Sequence, residues 1–274
     1  MKKLLALLLA GAMTMCMLTA CGSKGTDEAA ETSQETSGET QESENVEGAD
    51  VLADGVLTVG TNAEFPPFEY VDDNGEPDGF DIALIKAIGE KLGVTVEVEN
   101  MEFDSLVSSI GSKIDVAIAG MTVTDERKGS VDFSDPYYDA VQYVIVPVDS
   151  EIKTAADLVG KTIGVQLGTT GDFIASDDIA DTTVNQYNKG VDAVNDLLNG
   201  RVDCVIIDKN PALVFASKFE GQLVALDGAQ FEFGTEEYAI ALPKGDSALA
   251  EKINKALEEI KADGTFDKLV ETYI

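Results

Sequence analysis

From about residue 55 the hydrophobic positions change period several times. Val56-Leu-Thr-Val59 is an apolar-rich run that ends in a polar turn, and it predicts a strand. Beyond Gly79, the residues Ile82, Ile85, Ile88 and Leu92 recur three and four apart, which is one face of a helix. Val94, Val96 and Val98 then alternate with polar residues, as in a strand with one exposed face. A short helix from Phe103 leads to Ile114-Asp-Val-Ala-Ile-Ala119, nearly continuous in apolar residues and therefore read as a strand covered on both faces. After the apolar stretch 141–148 the rhythm restarts. Thr154 offers helix-cap chemistry, 162–165 reads as a strand, and a helix through Val191, Val194 and Leu198 precedes a strand at 202–207. A strand at 238–242 and a helix with Leu249, Ile253, Leu257 and Ile260 on one face, ending near Gly264, close the pattern. Strands alternating with helices predict an α/β protein with largely parallel sheets.

The pattern repeats internally. Ser109-Ile-Gly-Ser-Lys113-Ile-Asp115-Val-Ala-Ile-Ala-Gly120 matches Leu197-Leu-Asn-Gly-Arg201-Val-Asp203-Cys-Val-Ile-Ile-Asp208 in layout. In both, a helix ends at Gly, a basic residue and an Asp follow, and a buried strand runs into a loop. The first strands also correspond, Thr58-Val-Gly60-Thr-Asn62 with Thr162-Ile-Gly164-Val-Gln166. Two lobes of related layout follow. In open α/β sheets ligands bind outside the carboxyl ends of the strands. The polar residues just past those ends are Asn62 and Glu64 beside Phe65, then Gly120 and Thr122, then Gln166, Gly168, Thr169 and Thr170, then Asp208. If the lobes face each other, these loops meet across a cleft.

The first twenty residues have a different character. Lys2 and Lys3 precede an apolar run at 4–18, the length of a signal peptide and short for a membrane span. The run ends in Leu18-Thr19-Ala20-Cys21, which resembles the bacterial lipoprotein cleavage motif and predicts lipid attachment at Cys21. Residues 22–50 are Ser, Thr, Glu, Gln and Gly with nine acids and one lysine, a composition that cannot bury enough surface to fold. They read as a self-repelling acidic tether. The expected division is 1–20 signal peptide and 21–54 lipidated Cys plus tether. Cys16 leaves with the signal, so Cys204, in an apolar run, reads as a core thiol.

Charge and composition then narrow the chemistry. The 274 residues carry 51 acids, 19 bases and no histidine, for a formal charge of −32. Ser-His-Asp triads, Cys-His pairs and His-ligated zinc are excluded. So acidic a chain is a poor partner for nucleic acid or anionic lipid. Residues 51–274 contain only two arginines. Arg201 sits at the basic position of the repeat and reads as a surface charge. Arg127 follows Thr122-Val-Thr124-Asp125-Glu126, immediately past a buried strand. A guanidinium fork matches a carboxylate in two parallel bonds. Asp208 ends the equivalent strand of the second lobe, where it could receive an ammonium. Arg127 and Asp208 on opposite walls would suit a zwitterion, with Phe65 and Phe103 around its aliphatic part; ordinary surface ion pairs are the alternative.

Four motifs carry a family resemblance. Gly60-Thr-Asn-Ala-Glu-Phe-Pro-Pro-Phe-Glu-Tyr70, Gly79-Phe-Asp81, Ala119-Gly-Met-Thr-Val-Thr-Asp-Glu-Arg127 and Val131-Asp-Phe-Ser-Asp-Pro-Tyr-Tyr138 resemble the bacterial solute-binding proteins of family 3, the polar amino-acid receptors of ABC importers. The resemblance spans residues 55–274. It implies a two-lobed, periplasmic-binding-protein-like (Venus flytrap) fold with two mixed, mostly parallel sheets, helices on both faces and two hinge strands. Lobe 1 would comprise 55–137 with 239–274, lobe 2 residues 141–234, and the hinges would fall near 137–141 and 234–238. Carried over by position, Asn62, Phe65 and Phe103 contact or flank the side chain of the ligand. The Ala119-Gly120 backbone, Thr122 and Arg127 bind its α-carboxylate, helped by Gly168-Thr169-Thr170, and Asp208 binds its α-amino group. The implied partners are a polar L-amino acid and a membrane permease with its ATPase. The chain would act as a monomer, without cofactor or metal, lipid-anchored on the extracytoplasmic face, as on the outer surface of a Gram-positive-type cell.

Asn62, Glu64 and Gln166 make the side-chain end of this site polar, and Glu64 favours a basic ligand; glutamine, cystine or a small polar amino acid stay open. A second class is an enzyme of the same fold, dehydratase-like, with Glu64 as cleft acid or base. A third, the receptor domain of a signalling kinase, would need a second membrane span and a cytoplasmic part that the sequence does not contain. Asp72-Asp-Asn-Gly-Glu-Pro-Asp78 lacks EF-hand spacing, and its Asn74-Gly75 predicts a hairpin turn.

Overall fold

The computed structural model describes residues 52–274. The predicted signal segment, the Cys21 motif and the tether up to residue 51 lie outside the described residues. Among those residues no helix is long and apolar enough to cross a membrane.

The strands form two large sheets. One runs in the order Thr95–Asn100, Val56–Thr61, Val116–Ala117, Ala241–Pro243, Val131–Phe133; its first three strands are parallel. The other runs Thr183–Tyr187, Thr162–Gln166, Cys204–Asp208, Tyr138–Pro147, Leu223–Leu226, again parallel over the first three and antiparallel beyond. Helices Phe80–Leu92 and Ser247–Ala262 cover the first sheet with fully buried Ile85, Ile88, Ile253 and Ile260. This is the α/β architecture expected from the alternating periods, in the mixed, two-lobed form that the family resemblance implies.

The internal repeat has a structural counterpart. In the first lobe the Asp115 carboxylate accepts from the Thr58 amide at 2.8 Å, and in the second the Asp203 carboxylate accepts from the Thr162 amide at 2.8 Å. The same Asp therefore ties the helix-to-strand turn, just before each buried strand begins, to the first strand of each lobe.

Two elements differ from the sequence expectation. The strand predicted at 238–242 is two strands, Thr235–Tyr238 and Ala241–Pro243, which belong to different sheets. Thr235–Tyr238 lies antiparallel to the start of the long strand Tyr138–Pro147, with Tyr238 opposite Tyr138 and Thr235 opposite Val141. The run 238–242 looks continuous in sequence because Tyr238, Ala239, Ile240, Ala241 and Leu242 are all buried while the chain passes from one lobe to the other. Beyond Gly264 a further helix, Thr265–Tyr273, follows. Its apolar residues are only half-buried, and Phe266 sets its ring edge-on to Phe80 at 5.6 Å. A nine-residue helix with no fully buried side chain gives little periodicity to read.

Smaller readings agree. Asn74-Gly75 closes a hairpin between Glu69–Val71 and Pro77–Asp78. Thr154 and Asp157 form a reciprocal cap. Cys204 is buried, and burial pushes its thiol up to about 12, so it is inert core.

Candidate functional site

The loops past the carboxyl ends of the parallel strands meet between the lobes around a cavity whose non-atom space, part of it open to solvent, is about 310 Å³. The residues singled out from the sequence line it, except Glu64 and Gly168; one residue not singled out, Glu69, lines it as well.

Arg127 is placed by a one-turn helix, Asp125–Lys128, whose cap Thr124 accepts from the Arg127 amide at 3.1 Å. Its guanidinium is buried and works as a bridge. One terminal nitrogen donates to the Thr122 carbonyl at 2.6 Å, the other to the Gly168 carbonyl of the second lobe at 3.0 Å. The Phe103 ring lies 5.4 Å from the guanidinium carbon, so Phe103 serves Arg127 as well as the cavity. Burial lowers the Arg127 pKa, opposed by Glu236 and then Asp208. Five N–H donors in a fork leave others for a ligand. Gly168 contributes a carbonyl from behind the wall rather than a surface.

The opposite wall is acidic. Asp208 ends its buried strand and accepts the Tyr238 hydroxyl at 2.5 Å. Burial and the neighbouring Glu236 push it up to about 7, against the Tyr238 hydrogen bond. Asp81 sits in the first turn of helix Phe80–Leu92. That helix begins at Gly79 (φ +124°), where a side-chain carbon would run into the Phe68 carbonyl. Asp81 accepts from the Gly120 amide and the Tyr137 hydroxyl, each at 2.7 Å. Burial still pushes it up to about 6. Glu69 is fully buried and receives no nitrogen or hydroxyl donor on either carboxyl oxygen. It lies within hydrogen-bond reach of Asp81, a contact between two carboxyls that needs a proton between them. Burial first and Asp81 second raise Glu69 well above the ordinary range.

These bonds correct two of the sequence readings. The Gly120 amide is spent on Asp81 and is not free for a ligand carboxylate. Gly120 has φ +52°, and a methyl there would press on the Phe65 ring at 2.9 Å, so its role is to let that ring approach. The Thr122 hydroxyl donates to Glu236 at 2.5 Å, which leaves only its lone pairs for the cavity.

At the other end Asn62 and Gln166 join the lobes. Gln166 donates one amide hydrogen to the Asn62 side-chain oxygen at 2.9 Å and the other to the Asn188 carbonyl at 3.1 Å. Asn62 is held in turn by the Met101 carbonyl at 2.8 Å. Gln166 can therefore offer a ligand only its side-chain oxygen. Glu64, expected beside the ligand, pairs with Lys189 of the second lobe at 2.5 Å and does not reach the cavity. Thr169 donates to the Gln166 carbonyl at 2.8 Å and shapes the loop. Arg201 is an exposed partner of Asp196, the surface charge expected.

The family model of the bacterial extracellular solute-binding proteins, family 3, matches residues 57–274. The chain belongs to this family. The arginine-binding extracellular protein ArtP of Bacillus subtilis (strain 168) is 37% identical to it, over 98% of this chain and 96% of ArtP. Among solved structures, an ancestral arginine-binding protein bound to arginine is 45% identical, with TM-score 0.74 over 80% of this chain and 98% of that one. The structure of an ancestral arginine-binding protein bound to glutamine is 45% identical too, with TM-score 0.73 over the same shares. Within the family-3 motifs of this chain, Glu69 gives no sign of its burial, because an acid in a two-faced hairpin reads as solvent-facing. Its one sequence signal is its place directly after Pro66-Pro67-Phe68, inside a motif that returns the chain to the cleft.

Proposed function

We propose that this protein captures a basic L-amino acid, arginine foremost, in the interlobe cavity and delivers it to the permease of an ABC importer. The observation that carries the reading is Glu69, a carboxyl buried in the cavity wall with no donor of its own. Arg127 is the cation among the cavity's lining residues, which also include Asp208 and Glu69, and Asp81 is Glu69's partner. With one proton between Glu69 and Asp81, that pair, Asp208 and Arg127 sum to one uncompensated negative charge, with Glu236 outside the lining, against Thr122. A neutral amino acid, being a zwitterion, leaves that charge buried; arginine or lysine cancels it. The acceptor-only face of Gln166 points the same way, since a guanidinium is a pure donor and a glutamine carbonyl needs one. The names of the relatives above agree.

In this reading the remaining Arg127 donors hold the α-carboxylate. Asp208 and the Thr122 oxygen receive the α-ammonium, Phe65 flanks the aliphatic stem, and Glu69 faces the cationic end. Residues 55–137 with 239–274 form one lobe and 141–234 the other. Ligand held by one wall adds contacts to the other and shifts the open–closed equilibrium. The chain acts as a monomer, anchored on the extracytoplasmic face through a lipid on Cys21, which the Leu18-Thr19-Ala20-Cys21 motif supports. The enzymatic alternative relied on Glu64, whose partner is Lys189 outside the cavity.

Calorimetric titration of ligand-stripped protein with arginine, lysine, glutamine and cystine is the test. Arginine should bind tightest, and at about a hundred times its dissociation constant it should add about 2.7 kcal/mol of stability. Tighter binding of glutamine or cystine would overturn the basic-ligand reading and leave amino-acid capture standing.

The Glu64–Lys189 pair predicts a kinetic effect. Both side chains are partly exposed, at 26% and 41%. An interlobe pair of that kind contributes roughly 0.2–1 kcal/mol. Lys189→Met should therefore speed arginine dissociation by up to about fivefold in stopped-flow chase experiments, with association unchanged. Unchanged dissociation would show that the pair does not help hold the lobes shut.

A further inference from the structure

The strand Thr235–Tyr238 does more than connect the lobes. It is zipped to the loop that carries Thr122: the Val123 amide donates to the Glu237 carbonyl at 2.9 Å, the Ala239 amide donates to the Met121 carbonyl at 3.1 Å, and Thr122 bridges Tyr238. In a strand, residues two apart share a face. Glu236 and Tyr238 accordingly share a face of the strand, and each bonds one residue that lines the cavity. The Tyr238 hydroxyl donates to Asp208 at 2.5 Å, and Glu236 takes the Thr122 hydroxyl proton at 2.5 Å.

We propose that Glu236 is a positioning residue for substrate: by taking the single Thr122 proton, it fixes that hydroxyl as an acceptor for the ligand's α-ammonium. The inference rests on the amino-acid reading above. A hydroxyl has one proton and two lone pairs. Free to rotate, Thr122 can donate to the nearby α-carboxylate or accept from the ammonium. With its proton held by a carboxylate, only acceptance remains, and the hydroxyl oxygen is more basic for it. Glu236 never touches the ligand in this arrangement; it acts through Thr122. Its charge also lies within reach of Arg127 and Asp208, so it adds to the field that favours an ammonium between them. Both ammonium acceptors are thus set from one strand that crosses between the lobes, which links amine recognition to the geometry of the crossing.

The test separates amine recognition from everything else in the site. Arginine is compared with 5-guanidinopentanoate, the same molecule without the α-amino group, by calorimetry. Glu236→Ala should raise the arginine dissociation constant about tenfold, the scale of one charge-assisted hydrogen bond, and change that of 5-guanidinopentanoate by less than about twofold. Glu236→Gln, whose amide oxygen accepts the same proton, should return arginine binding to within about threefold of wild type. In a Thr122→Val background Glu236→Ala should add little, because the group it orients is gone. Equal weakening of both ligands, tighter arginine binding in Glu236→Ala, or additivity with Thr122→Val would each overturn the proposal. Should wild type ignore arginine, the basic-ligand reading fails alone. The comparison then runs on glutamine against glutaramate, its deamino analogue, with the same outcomes.

Discussion

Arg127→Lys should weaken arginine binding by two to three orders of magnitude while the protein still folds. The guanidinium holds three places at once: the Thr122 carbonyl at 2.6 Å in its own lobe, the Gly168 carbonyl at 3.0 Å in the other, and the cavity. A lysine ammonium is a point donor on a flexible stem, and it cannot span two carbonyls and a carboxylate in one plane. It also loses the flat contact with Phe103. Charge is conserved, so the acidic wall keeps its counter-ion and the fold keeps its balance. Truncating one partner of a buried, hydrogen-bonded charge pair costs about 2–5 kcal/mol, and about 1.4 kcal/mol is a factor of ten. Calorimetry gives the affinity, and a thermal melt monitored by circular dichroism checks the fold. An affinity within threefold of wild type would show that the ligand carboxylate is held elsewhere. Because Arg127 also ties the lobes together, saturating ligand should leave the variant more open by small-angle scattering than the wild type at saturation.

The alternation of periods placed the strands and helices of each lobe's parallel core, whose apolar positions are buried at regular spacing, but not the helix Lys209–Lys218 or the strands Val131–Phe133 and Leu223–Leu226. The crossing between lobes was not legible in the same way. Residues 238–242 read as one apolar strand, yet they serve two sheets, and burial alone cannot say which sheet a residue pairs with. At the site the sequence pattern located the strand ends, and with them Asn62, Arg127, Gln166 and Asp208. It gave residue types in a cleft, but not who donates to whom. Glu64 and Glu69 show the limit. Five residues apart and chemically alike, one meets Lys189 near solvent and the other is sealed beside Asp81. The difference is made by partners distant in sequence, 125 positions away for Lys189, and no local periodicity carries that information. The same is true of Glu236, which looks like one more acid in an acidic chain until Thr122 is set beside it.

Glu69→Gln should abolish the preference for arginine. The substitution keeps size and, because the amide donates to Asp81 where the pair shared a proton, the net charge of the empty pair; it removes the carboxyl that can give up that proton and ionise against a guanidinium. Arginine should bind about 30-fold more weakly, roughly 2 kcal/mol, as expected when a buried charge loses its partner, whereas glutamine should change by no more than a few-fold. The pH dependence gives an independent check. In the ligand-free protein burial raises Asp208 to about 7, Asp81 to about 6 and Glu69 well above the ordinary range. A carboxyl whose folded pKa lies above its unfolded value binds more protons folded than unfolded. Its contribution to stability is fully present below about pH 4, declines as pH rises through 6 and 7, and is gone above that. Ligand-free wild type should therefore melt several degrees lower at pH 8 than at pH 5, at about 2–4 °C per kcal/mol for a chain of this size. Arginine, by supplying the missing cation, should raise the melting temperature more at pH 8 than at pH 5. In Glu69→Gln the amide can donate to Asp81 with no shared proton, so the ligand-free melt should depend less on pH and arginine should add less at pH 8. Equal losses for arginine and glutamine, together with an unchanged pH profile, would mean that Glu69 supports the hinge side of the cavity and does not read the charge of the ligand.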